Sequence, residues 1–303
     1  MIKNLILNRN MLLVMAIVLG LFLPQYSLIL APYTFWLLAL VMLFSLSGLS
    51  AKSLFPLRSV VKPMLMGVLL NHIVFGIIVL ASALLFFDYG SPIFIGFVII
   101  AATPPGVAII PFTVKLNGDL NKAIIGTFSA FMASIFLAPL IIEAFAGNEG
   151  VNPVELLKVM LLLIVLPFLA SRILRIKSIL PIVEKTRGSI IDIGFSLIIY
   201  ASIGVNNHVF FSDFDVLLKI IVVLFIAMFV VSLMLKFVLK SKQNANYIVS
   251  TRLLYSIKSS GFAVVTAMEL FGGDSAIPAT VMSILVLVYF FSLLLEQRFF
   301  LNS

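Results

Sequence analysis

A chain of 303 residues that is 62% hydrophobic and only 11% charged, with a mean hydropathy of +1.25, is no soluble domain; those carry about a quarter charged residues. Its long unbroken apolar runs lack the polar–apolar alternation of an outer-membrane barrel, which leaves α-helices as the way across a bilayer. The net charge of +8 would point to nucleic acid in a soluble protein, but here no nucleic-acid partner is expected; with no cysteine there is no disulfide framework, thiolate metal site or thiol nucleophile.

A span needs about 20 apolar residues. In chain order the segments are Met11–Leu30, Tyr33–Leu49, Pro63–Phe87, Pro92–Val114, Ala123–Ala146, Pro153–Ser171, Ser189–Val205, Val216–Phe237, Tyr247–Phe271 and Ala276–Leu295. The second and seventh, at 17 residues each, are the shortest. The first has signal-peptide flanks in Lys3 and Arg9, but Pro24-Gln25-Tyr26-Ser27 offers no small-x-small cleavage site, so it counts as a helix.

Charge placement tests this count, because Lys and Arg accumulate in cytoplasmic loops. With a cytoplasmic N-terminus, sixteen of the twenty basic residues fall inside, among them Lys52, Lys62, Lys122, Arg172, Arg187 and Lys236. The outer loops carry Asp88, Glu143, Glu149, Asp213, Asp215 and Asp274 instead. The expectation is ten spans in the plasma or inner membrane, multi-pass, both termini cytoplasmic. Five spans per half is odd, so the halves enter the bilayer in opposite senses. The expected fold is an all-α integral membrane protein, one polytopic domain over residues 1–303. It is a 5+5 inverted repeat, with repeat one at 1–150, repeat two at 151–303 and a joint near 147–153.

Segments four and nine are broken in the middle. Thr103-Pro104-Pro105-Gly106 interrupts the first, and Ser256-Ile257-Lys258-Ser259-Ser260-Gly261 the second. Gly106 and Gly261 are 155 residues apart, so each break lies at about the same depth in its half. Unwound backbone survives at membrane depth only where it faces protein or a wet cavity. Paired breaks of this kind point to the binding site of a secondary transporter. Two adjacent prolines remove two amide donors, more than a kink requires. Gly106 and Gly261 are expected to let the two broken helices cross closely.

The polar residues at bilayer depth divide into bland and sharp readings. Lys258 lies eleven residues from Tyr247 and thirteen from Phe271. A lysine there costs about 2.5–3.5 kcal/mol on insertion scales and is rarely kept without a use. If it were a loop residue, Phe262–Phe271 would be too short to span. Asn71 and His72 in segment three are as readily interhelical glue as ligands. Thr127, Ser129 and Ser134 read as small packing residues, with Thr127 the one of interest, and Asp192 is expected to pair with Arg187 or Lys185. Ser260 and His72 could form a nucleophile and base, but nothing supplies an orienting third group. There is no His-Glu-x-x-His, no phosphate-cradling glycine loop and no paired carboxylates in a helix. No enzyme and no cofactor are expected.

At the breaks the chain resembles the bile acid:sodium symporter family, within a superfamily that includes auxin-efflux-type carriers and arsenite permeases. The family's Pro-Gly-Gly-x-x-Ser-Asn run reads here Pro104-Pro105-Gly106-Val107-Ala108-Ile109-Ile110, followed by Asn117-Gly118-Asp119. Its Glu-x-x-x-Gln-Asn-Ser-Gly reads Leu254-Tyr255-Ser256-Ile257-Lys258-Ser259-Ser260-Gly261. Leu37–Met42 and Gly48 resemble its second helix. The resemblance implies a panel of segments one, two, six and seven, and a core of three to five and eight to ten. It further implies two sodium ions held where the broken helices cross, and organic-anion cargo.

The departures fall on the sodium cage. Ile109, Ile110, Ala123 and Leu254 replace oxygen-bearing family residues, and only Thr127 and Asn71 are retained side-chain candidates. The expected function is therefore secondary transport of a small organic anion by alternating access. A proton or no ion is the expected coupling partner, ahead of sodium. The expected substrate-binding residues are Pro105, Gly106, Lys258, Ser259, Ser260, Gly261, Asn71 and Thr127, with no metal centre. An intramembrane enzyme and a non-transporting receptor or scaffold are the alternatives.

Overall fold

Every element of the computed structural model is a helix, and the only β-type pairing among the described residues is a single bridge. The structure describes residues 9–48, 57–106, 108–146, 158–159, 161–211 and 213–301. The expected joint at 147–153 and the loop residue Lys52 lie outside them. Six helical runs are long and apolar enough to cross a bilayer. Large apolar side chains such as Ile77, Phe136, Leu140 and Phe237 face outward from these helices, as a lipid-facing surface requires.

In chain order the helices are α1 (Arg9–Phe22), α2 (Pro24–Ser47, including two short 3-10 turns), α3 (Leu57–Val68) and α4 (Phe75–Ala83). A π-helical stretch, Leu69–Val74, joins α3 to α4. Next come α5 (Pro92–Ala102), α6 (Ile109–Lys115), α7 (Leu120–Ala146), α8 (Leu166–Ala170, after π-helical Leu161–Val165) and α9 (Leu180–Val205). The chain ends with α10 (Asn207–Phe211), α11 (Phe214–Phe225), π-helical Ile226–Val230, α12 (Val231–Lys240), α13 (Ala245–Ser256), α14 (Ser260–Phe271) and α15 (Ile277–Leu301).

Several segment ends differ from the expectation. Segment one stops at Phe22 rather than Leu30, because Pro24 has no N–H and pushes Leu23 out of helical geometry (φ −129°, ψ 56°). Its last residues join segment two, which becomes 24 residues long. Segment seven extends back to Leu180 and reaches 26 residues, since Glu184, Lys185 and Arg187 sit on helical turns. Segment five begins at Leu120, which brings Lys122 out of its expected loop and into the protein, 3% exposed. There its ammonium donates to Thr251 and lies 3.0 Å from the centre of the Tyr247 ring.

The helices fall into two groups. In one, α9 packs along α1 and α2, and α8 packs on α2. The other forms the main apolar core: α7 lies against α3, α5 and α13, α14 against α15 and α5, and α11 against α15. Small residues set the closest approaches. A Cβ on Gly67 of α3 would stand 2.5 Å from the Cα of Gly126 on α7, so the two backbones are in direct contact. Gly67→Val must push α3 off α7, at a cost of about 1–3 kcal/mol. Purified Gly67→Val is expected to melt several degrees below the parent protein. Gly188→Ala, inside α9 where an added methyl meets nothing within 4 Å, is expected to hold or slightly raise the melting temperature, since alanine favours the helix by up to about 1 kcal/mol.

Candidate functional site

The site forms where two helices stop in the middle of the apolar core. Thr103 leaves α5 with extended backbone (φ −62°, ψ 153°), its hydroxyl bonded back to Ile100 O at 3.0 Å. Ile257 leaves α13 with φ −94° and ψ 104°. The two extended stretches run antiparallel and pair Pro105 with Lys258. Gly106 N–H donates to Ile257 O and Ser259 N–H to Pro104 O, both at 3.0 Å. Proline fits opposite Lys258 because this is the non-hydrogen-bonded position of an antiparallel pair, which asks no donor of it. The expected crossing is thus a hydrogen-bonded one.

Gly106 serves it as expected: an added Cβ would lie 2.9 Å from both Lys258 O and the Ile257 side chain. Gly261 does not. Its Cβ would lie 2.6 Å from the ring of Phe195 on α9, so this glycine lets α14 approach the other helix group rather than the other break.

Behind the bridge, the side chain of Lys258 is 1% exposed and turned into the core. Its Nζ donates to Asn71 Oδ1 at 3.0 Å, Asn71 O at 3.2 Å and Ala101 O at 3.1 Å, with the Phe75 ring 5.8 Å away. Ala101 O belongs to the last turn of α5, whose carbonyls have no helical partner and carry the negative end of the helix dipole. Asn71 holds the other break: its Nδ2 donates to Leu254 O at 2.9 Å and reaches Ile257 O at 3.5 Å. Asn71 sits in the π-helical stretch Leu69–Val74, a local underwinding of the kind found at functional sites. A second π-helical stretch, Ile226–Val230, holds the end of α13. Ala227 O accepts from Tyr255 OH at 2.8 Å, and Met228 O from Ser256 Oγ at 3.0 Å.

In front of the bridge, Gly106, Ile257, Lys258, Ser259 and Ser260 line a small cavity closed by Leu13, Phe195 and Ile199. At about 40 Å³ it holds a water or two and no organic acid. A larger cavity of about 390 Å³ lies between Ser45, Leu46 and Gly48 of the α2 end, Arg187–Asp192 of α9, and Ile110, Pro111, Thr127 and Phe131. Gly188, Ile191, Asp192, Phe195 and Ile199 recur at helical spacing, so one face of α9 walls both cavities. Thr127, 2% exposed, is not at the crossing but in this second cavity. Its Oγ1 and the Ser45 Oγ are buried without a hydrogen-bond partner.

His72 and Ser260 are not brought together. His72 Nε2 lies 3.0 Å from Ala130 O on α7, whereas Ser260 lines the small cavity. Among the described residues no cluster of His, Cys, Asp and Glu could hold a metal ion. Ser45 carries no signal in an apolar run, and Arg187 stood out only as a basic residue of the cytoplasmic side and a partner for Asp192, not as a cavity residue. A half-buried ion network left no local signal either: Arg252 grips Glu296 through two bonds (2.8 and 3.0 Å) and Lys236 holds the same carboxylate at 2.9 Å.

The two glycines should respond differently. Gly106→Ala presses on main chain that cannot yield, and is expected to lower the melting temperature by several degrees, whatever residue stands at 195. The loss in Gly261→Ala is expected to be relieved by Phe195→Leu, with a coupling energy of about 0.5–3 kcal/mol in the double-mutant cycle.

A family model for the sodium bile acid symporter family matches residues 35–213. The match takes in Asn71, Pro105, Gly106 and Thr127 and ends before the second break. A comparison with curated proteins finds no match. More than half of the chain lies within the matched region, and this multi-pass helical membrane protein belongs to the sodium bile acid symporter family, whose members are transporters.

Proposed function

We propose that the chain is a secondary carrier of a small organic anion, working by alternating access. The observation that carries this reading is the hydrogen-bonded crossing of two helix breaks, with both cavities opening between the same two groups of helices. Irregular backbone at membrane depth belongs beside a transported substrate. The group α1, α2, α8 and α9 acts as a panel and the remainder as the core that slides against it. The whole is ten spans in a 5+5 inverted repeat within the cell membrane, both termini cytoplasmic. The π-helical stretches support the repeat, since Leu69–Val74 and Ile226–Val230 fall in the third segment of each half.

The cargo is read from the larger cavity. Arg187 offers a fork of donors suited to a carboxylate. The hydroxyls of Thr127 and Ser45 offer donors that are otherwise unsatisfied. The volume suits a small acid. From there the anion moves along the common face of α9 to the crossing. Rocking of the panel widens the small cavity, where Ser259, Ser260 and Gly106 receive the anion at the N-terminal end of α14.

Thermal-shift measurements on purified protein against small mono- and dicarboxylates test this. At least one acid is expected to raise the melting temperature saturably. Arg187→Gln and Thr127→Val are each expected to weaken its binding about tenfold. No shift with any acid, together with no uptake of those acids into proteoliposomes, would contradict the reading.

A further inference from the structure

We infer that the ammonium of Lys258 is the resident cation of the helix crossing, so that this chain carries its anion without sodium. Three oxygens converge on Nζ at 3.0–3.2 Å: Asn71 O, Asn71 Oδ1 and Ala101 O. All three only accept, and the Asn71 amide is oriented independently because its Nδ2 donates to Leu254 O. A neutral amine has two hydrogens and would turn its lone pair on one of these oxygens. An ammonium satisfies all of them. The carbonyl end of α5 supplies the matching negative potential. These oxygens form a cradle of the kind a hard cation seeks, and the chain fills it with its own side chain. A sodium ion brought to the same oxygens would face a fixed positive charge at contact distance, in surroundings that screen poorly.

The family description names sodium, so its fit elsewhere matters. Thr127 Oγ1 is free of partners, but the positions beside it where the family has oxygen-bearing side chains are apolar. Ile110 lines the same cavity, Ile109 and Ala123 are fully buried, and the Leu254 side chain packs on Gly126. Ser45 and Asp192 line the same cavity, but Arg187 stands on the same wall as Asp192, and two hydroxyls beside a fixed guanidinium do not make a shell for sodium. The residues present do not fit the ion at either place.

The inference rests on the carrier reading only for its consequence in transport; the cation site is tested without a substrate. Purified protein is melted in sodium chloride and in choline chloride at equal ionic strength. No saturable sodium-dependent shift is expected. Such a shift would overturn the inference and leave the carrier reading standing, whereas failure of every organic acid to bind would do the reverse. In Lys258→Ala the cradle is vacated. Methylammonium chloride, which carries N–H donors, is expected to raise the melting temperature of this variant by several degrees, with choline inert and the parent protein unmoved. Equal responses to methylammonium and choline would overturn the inference. If Lys258→Ala does not fold, the sodium titration of the parent protein decides alone.

Discussion

Every backbone N–H and C=O left without a partner inside an apolar core costs free energy, and this chain opens two helices there. The breaks answer that demand mutually. Pro104 and Pro105 reduce the number of donors to be placed, and the two amides nearest the crossing, Gly106 and Ser259, are given to carbonyls of the other break. The exposed helix-end carbonyls fall to two side chains, with Lys258 taking Ala101 and Asn71 taking Leu254 and Ile257. Neither break is tenable without the other. That mutual dependence fixes where the two broken helices meet and where the core carries irregular backbone.

The surrounding architecture holds this junction in place. Two π-helical stretches grip it, one presenting Asn71 and the other the carbonyls of Ala227 and Met228. Close glycine contacts let α3 and α7 stand backbone to backbone behind it. The side facing α9 is built differently. There Gly261 meets an aromatic ring rather than main chain, and a ring edge is more compliant than a backbone. The crossing is thus confined by main chain at Gly106 and by a side chain at Gly261.

Much of this was legible in the residues, for physical reasons that can be named. A Pro-Pro-Gly run and a lysine are incompatible with lipid-facing helix, so both breaks and the importance of Lys258 stood out against an apolar background. Asn71 was visible as a polar residue but not its partners, which lie 183 and 186 positions away. The pairing of Gly261 with Phe195 was hidden because a glycine says that something is close without saying what. Thr127 was noted in segment five, yet only packing separates it from the crossing and places it in the larger cavity. Segment ends were blurred where a proline reset the register, at Pro24, or where charged turns stayed helical, at Glu184 to Arg187. The Arg252–Glu296 pair, with Lys236 on the same carboxylate, joins α12, α13 and α15 and has no local signal at all.

The central claim is that the two breaks are bonded to each other through Gly106 and Ser259. Amide hydrogen exchange of the protein in lipid nanodiscs addresses it directly. The account predicts that both amides exchange far more slowly than those of the exposed turn at 241–244, although neither lies within a helix. It also predicts that Gly106→Val speeds exchange at Ser259, in the other half of the chain. Fast exchange at both sites in the parent protein, or an unchanged rate at Ser259 in the variant, would contradict it.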